Sequence, residues 1–210
     1  MDPEIWVAFA LASAALLALP GPTVMLVVSY ALGRGRQSAW ATVPGVTLGD
    51  FVAMTVSLAG AGAVMAASAA LFTVLKLAGA AYLVWLGIKL WRSPPPCLDQ
   101  DANPVIARGG AWPMFWNAFV VTALNPKSIV FFIAFMPQFI MPDRPLLVQI
   151  VVLEATFVAL AALNVAIWAV LVGEMRQRFR RPGVLTRLQK TGGGLLIGAG
   201  LLTAMTRRGG

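Results

Sequence analysis

Charged residues divide the chain into long apolar stretches. Residues 5–33, 51–75, 109–126, 128–142, 155–173 and 191–206 carry no charge. A helix needs about 20 apolar residues to cross a bilayer. Allowing a few charges inside spans, the pattern predicts six helices over 5–31, 38–66, 70–91, 113–140, 146–173 and 186–206. The first is expected to be retained rather than cleaved. Asp2 and Glu4 precede it instead of basic residues, although Ala12-Ser13-Ala14 mimics a cleavage site.

Composition points the same way. Apolar residues make up 59% of the chain and charged residues 11%, against about a half and a quarter in soluble domains. That leaves too little polar surface for a water-soluble globule and excludes disorder. The net charge of +8, from 16 basic and 8 acidic residues, does not indicate nucleic-acid binding. Most of the basic residues sit in short clusters between apolar stretches, as membrane anchors do. With no histidine and a single cysteine, Cys97, the chain cannot form an intrachain disulfide. It also cannot assemble a His/Cys metal cluster or a Ser–His or Cys–His catalytic pair. No cofactor and no metal site are expected.

With six spans, the termini and the 66–70 and 140–146 loops share one side, which holds Arg144, Arg207 and Arg208. The other side holds Arg34, Arg36, Lys89, Arg92, Arg108, Arg176, Arg178, Arg180, Arg181, Arg187 and Lys190. The split of 11 against 3 makes the second side cytoplasmic and puts both termini outside. Trp6, Trp40, Trp91 and Trp112 fall near span ends, where aromatic belts form. The arginines at 176–181 read as anchors touching anionic lipid.

The two halves of the chain resemble each other. The segment starting at Ala18 (ALPGPTV) is matched 105 residues later by that starting at Ala123 (ALNPKSI). Asp50 is matched by Glu154, and Gly79 and Gly87 by Gly192 and Gly200. These landmarks recur in order, so the chain reads as two three-helix units. Their bounds are 1–92 and 113–210, joined by a cytoplasmic linker over 93–112. An odd number of spans per unit inverts the second, an architecture recurrent in secondary transporters.

The strongest local signal is Pro20-Gly21-Pro22. Two prolines within three residues delete two backbone donors and break the first helix about 15 residues into its apolar run. Freed backbone groups at that depth must be buried in protein or face a wet cavity. The N-terminus restarting at Thr23 favours an anion such as a carboxylate. Asn125-Pro126-Lys127 should break the fourth helix in the same way. Lys127 is too central to snorkel easily; it suits either a substrate carboxylate or an ion pair with an acid. Asp50, Glu154, Lys76 and Lys127 are the four charges inside spans, two of each sign. Each costs about 2.5–3.5 kcal/mol or more to insert, so pairing or a pathway role is expected. Asp50 is the first candidate for proton coupling or amine binding, and Glu154 the second. Tyr82 is a candidate pore-lining hydroxyl, although core packing also explains it. Gly45, Gly49, Gly79, Gly194 and Gly198 suit close helix packing, with Lys76 in an ion pair or snorkelling. Packing glycines of this kind are compatible with a homodimer.

At these residues the chain resembles the LysE/RhtB superfamily of amino-acid exporters. The matching segments are LALPGPTVMLV at 17–27, GVTLGDFV at 45–52, KLAGAAYLVWLGIKLWR at 76–92, NPKSIVFFIAFMPQF at 125–139 and GGGLLIGAGL at 192–201. The resemblance implies a six-helix inner-membrane exporter of amino acids or their derivatives, driven by the proton gradient or membrane potential. It carries over Pro20, Gly21, Pro22, Gly49, Asp50, Lys76, Gly79, Tyr82, Asn125, Pro126, Lys127, Pro137, Gln138 and Phe139. Pro44, where members usually have a small non-proline residue, departs from the pattern and should add a kink.

The expectation is therefore an all-α membrane protein, two inverted three-helix repeats with helices 1 and 4 broken. It would work as a secondary exporter and not as an enzyme. Its partners would be a small zwitterionic amino acid, protons and membrane lipid. The alternatives are a divalent-cation exporter of similar build and a membrane subunit without transport.

Overall fold

The computed structural model describes residues 1–18, 21–92, 110–141 and 144–174, together with nine later residues between Arg187 and Leu201. The side chains of a few helical residues, Lys76 among them, lie outside it, as do Pro20, Cys97 and the arginines at 176–181. Every regular element described is helical. They are α1 (Pro3–Ala18), α2 (Pro22–Arg34), α3 (Ala39–Ala67), α4 (Ala69–Arg92), α5 (Ala111–Ala123), α6 (Pro126–Ala134) and α7 (Leu146–Glu174), with 3-10 turns at Gly35–Ser38 and Met136–Phe139. The nine later residues are helical too. The run Pro22–Gly62 and the helix Leu146–Glu174 are long and apolar enough to cross a membrane. α5 and Pro126–Phe139 together form a third such unit, bent by 43°.

The breaks fall where the local chemistry dictates. Gly21 stands extended as the cap of α2, with Pro22 at its first position. Asn125 does the same for α6, with Pro126 following. Both prolines sit where a missing N–H costs nothing. Gly35 ends α2 at φ 73°, a left-handed value that suits glycine. Pro44 lies within α3, which runs on past it although the proline has no N–H for the Trp40 carbonyl.

Pairwise contacts fix the directions. Phe9 meets Phe139 (ring centroids 5.3 Å), Leu16 meets Lys127 (3.1 Å), Thr23 meets Asn125 (3.2 Å) and Tyr30 meets Asn117 (2.8 Å). As one chain segment rises the other falls, so α1–α2 and α5–α6 run antiparallel. α2 and α3 fold back about the Gly35–Ser38 turn, since Tyr30 shares a cluster with Ala41 and Met114, and Val27 shares one with Val46 and Ala118. The Asp2–Arg144 ion pair (3.0 Å) puts the N-terminus and the loop before α7 at one end. Arg36 and Glu174 (3.6 Å) put the α2–α3 turn and the end of α7 at the other. Buried Gln149 pins the loop before α7, accepting from Met141 N (2.8 Å) and donating to Met141 O (3.0 Å).

Small residues let the backbones approach. A Cβ on Gly45 would lie 2.5 Å from the Phe115 carbonyl oxygen, and one on Gly49 2.8 Å from that of Phe119. α3 is thereby pressed onto α5. Gly79 packs on Ala134, while Gly87 packs on Gly193 and Ile197. Gly194 abuts Trp91, whereas a Cβ on Gly198 would meet no described atom within 4 Å. The largest core cluster is aromatic: Phe9, Phe131, Phe132, Phe135 and Phe157, with Phe139 against it. Meanwhile α7 turns Leu147, Val151, Leu163 and Ile167 outward, a greasy surface suited to lipid rather than water.

Candidate functional site

Where the two breaks meet, the chain leaves a small cleft. Leu16 and Leu17 of α1, Thr23 and Val24 of α2, Val46 and Asp50 of α3, Asn125, Lys127 and Ser128 around the second break, and Asn164 and Val165 of α7 line it. Its volume of about 20 Å³ holds roughly one water. On one side lies the phenylalanine cluster; on the other, the thinner layer of Val27, Val46, Ala118, Val165 and Ala169.

Two opposite charges face this cleft. Asp50 is 2% exposed and Lys127 7% exposed, and both line the cleft. Such a pair is tolerable out of water only because each charge compensates the other and further hydrogen bonds help. The Lys127 ammonium also donates to the Leu16 carbonyl at 3.1 Å, at the negative end of the α1 dipole. Lys127 Nζ would stand 3.2 Å from a Cβ at Gly21, so the bare glycine makes room for the ammonium.

The breaks are also tied directly. Thr23 Oγ1 accepts from Asn125 Nδ2 (3.2 Å) and from Thr122 Oγ1 (3.2 Å). Asn125 Oδ1 meanwhile accepts from Lys127 N (3.1 Å), capping α6. The start of α2 has no side-chain cap among the described residues, and Thr23 and Val24 of its first turn line the cleft. Asn164 donates to the Leu17 carbonyl at 3.0 Å. One wall thus presents an uncapped positive helix end and another a negative helix end, with one cation and one carboxylate between them.

Comparison with known proteins decides the family. The family profile described as LysE type translocator matches residues 14–207. The chain belongs to the LysE type translocator family. This LysE translocator is similar to an uncharacterized membrane protein of Vibrio cholerae serotype O1, 32% identical over 207 residues and covering 99% of this chain and 100% of the relative. It is equally similar to the homoserine/homoserine lactone efflux protein of Salmonella typhi, 32% identical over 99% of each chain. A shorter match joins it to the leucine efflux protein of Salmonella choleraesuis, 29% identical over 130 residues, covering 62% of this chain and 60% of that one. No solved structure matches it. Translocators move solutes, so the chain is a transporter and not an enzyme.

Of the residues singled out in the sequence, Thr23, Asp50, Asn125 and Lys127 of this LysE translocator come together at the cleft, with Gly21 beside the ammonium. Pro22 and Pro126 start the two half-helices that border it. Pro20 lies outside the described residues. Glu154 stands elsewhere: it accepts from Thr55 Oγ1 (2.5 Å), ten residues before Asn164 on α7, or about 15 Å along the helix. Tyr82 packs on Trp85 (5.6 Å) and does not line the cleft. Thr122 and Asn164 reach the site without having been singled out. Asn164 had a signal, being the lone amide in the uncharged stretch 155–173.

Proposed function

We propose that this LysE translocator exports a small zwitterionic amino acid through the cleft between its two broken spans. The observation that carries this reading is the buried Asp50–Lys127 pair at the meeting of the breaks. A zwitterion brings one carboxylate and one ammonium, complementary to that pair. The uncapped start of α2 and Lys127 suit the carboxylate; Asp50 suits the ammonium. The printed names of the relatives, efflux proteins for homoserine and its lactone and for leucine, support the substrate class.

Six spans arranged as two inverted repeats, 1–92 and 113–210 about the linker 93–112, would supply alternating access by rocking one repeat against the other. The 11-to-3 distribution of basic residues supports an inner-membrane protein with both termini outside. Coupling to the proton gradient or membrane potential would run through Asp50, with Glu154 as a separate acid on α7. A divalent cation would find a single carboxylate in the cleft, beside a lysine ammonium, which is a poor donor set for such a cargo.

Counterflow into proteoliposomes with a panel of labelled amino acids tests the reading. At least one should accumulate against its gradient in exchange for internal substrate. Accumulation of none of them contradicts it.

A further inference from the structure

The end of α1 is held in an unusual way. Pro20 has no N–H to offer the Leu16 carbonyl four residues back. Gly21, four residues after Leu17, is extended as the cap of α2. These carbonyls are instead taken by two side chains from two other helices. Lys127 Nζ of α6 binds Leu16 O (3.1 Å), and Asn164 Nδ2 of α7 binds Leu17 O (3.0 Å). Both donors and both leucines line the same cleft. Consecutive carbonyls at a helix C-terminus form a negative patch, and Asp50 borders the same cleft.

Resting on the amino-acid reading, we propose that Lys127 and Asn164 are catches on the broken end of α1, and that the substrate ammonium displaces them from the Leu16 and Leu17 carbonyls. An ammonium carries three donors, and Leu16 O, Leu17 O and Asp50 are three acceptors around one cleft. Displaced from Leu16 O, Lys127 turns to the substrate carboxylate. Asn164 is then a positioning residue that competes with substrate instead of holding it. α1 is tied to both α6 and α7, and substrate loosens both ties together. Removing the Asn164 tie leaves the substrate ammonium one competitor fewer for the Leu17 carbonyl, a gain that a ligand without the ammonium does not share.

The test uses the full chain in proteoliposomes. The probes are the amino acid that the wild type moves fastest and its analogue with hydroxyl in place of the α-amino group. Asn164→Ala should lower KM for the amino acid severalfold without raising kcat, and leave the inhibition constant of the hydroxy analogue unchanged. Asn164→Val, close to asparagine in volume and matching neighbouring Val165, should do the same and serves if the alanine variant fails to fold. An unchanged or raised KM overturns the proposal. So does an equal fall in KM and in the analogue's inhibition constant, since that marks general loosening. A wild type that moves no amino acid overturns the export reading and this proposal together, whereas wild-type transport with unaltered selectivity in both variants overturns this proposal alone.

Discussion

The Lys127 ammonium donates to the carbonyl of Leu16, 111 residues earlier in the chain, across the two helix breaks (3.1 Å). This bond joins the cation of α6 to the C-terminal end of α1. It holds the ammonium at the cleft that Asp50 also lines, so the site carries one basic and one acidic side chain.

Removing the cation alone should therefore harm the fold as well as transport. Lys127→Met strands Asp50 without its compensating charge, a loss on the order of 3–5 kcal/mol. Its melting temperature in detergent should fall clearly below wild type. The double variant Asp50→Asn with Lys127→Met should recover most of that stability while remaining inactive in counterflow. A double variant no more stable than the single would argue against the pairing.

Glycine substitutions should separate by position. In Gly49→Ala the new methyl would lie 2.8 Å from both the Phe119 carbonyl oxygen and the Thr122 Cβ. α3 must then shift off α5, at a cost of about 1–3 kcal/mol, and Asp50, the next residue, shifts with it. Gly60→Ala, on the same helix with nothing within 4 Å, should be neutral or stabilising by up to about 1 kcal/mol. Thermal melts of the two purified variants make the comparison. Equal melting temperatures would show that the close α3–α5 contact is not rigid.

Much of this was readable from sequence because membrane helices advertise themselves by what they lack. With a few internal charges allowed, the apolar pattern located the helices described up to Glu174 to within a few residues. Pro22 and Pro126 marked the restarts, because proline is harmless at a first helical position and disruptive further in. Asp50 and Lys127 stood out as charges that had no business in an apolar run. The side-chain partners were not readable. Asn164 meets Leu17 from 147 residues away, a pairing set by how α7 leans on α1 and by no local pattern. Glu154 and Tyr82 had the right residue types for the site, but their helical positions face Thr55 and Trp85 instead. Spacing along one helix cannot reveal which neighbour a face will meet.

The two jobs of Asn125 can be told apart by its variants. Asn125→Asp keeps the acceptor that caps Lys127 N (3.1 Å) but loses the donor to Thr23 (3.2 Å). Asn125→Ala loses both, including a cap worth about 1 kcal/mol. Stability should fall in the alanine variant, and transport should fall in both. An aspartate variant with wild-type transport would mean that the Thr23 bond is dispensable.

The two acids should also behave differently. Asp50→Asn changes a cleft residue and should abolish counterflow at normal expression. Glu154→Gln keeps a partner for Thr55 about 15 Å along α7 from Asn164 and should leave counterflow intact. Matching losses in both variants would place Glu154 on the solute route.

The most direct measurement places a reactive thiol where the breaks meet. In a Cys97→Ser background, Thr23→Cys is alkylated with a small thiol reagent, and counterflow is measured with and without saturating amino acid during labelling. The expected result is loss of transport on alkylation and protection by the transported amino acid. Full transport by a completely labelled protein would contradict a solute route between the two broken spans.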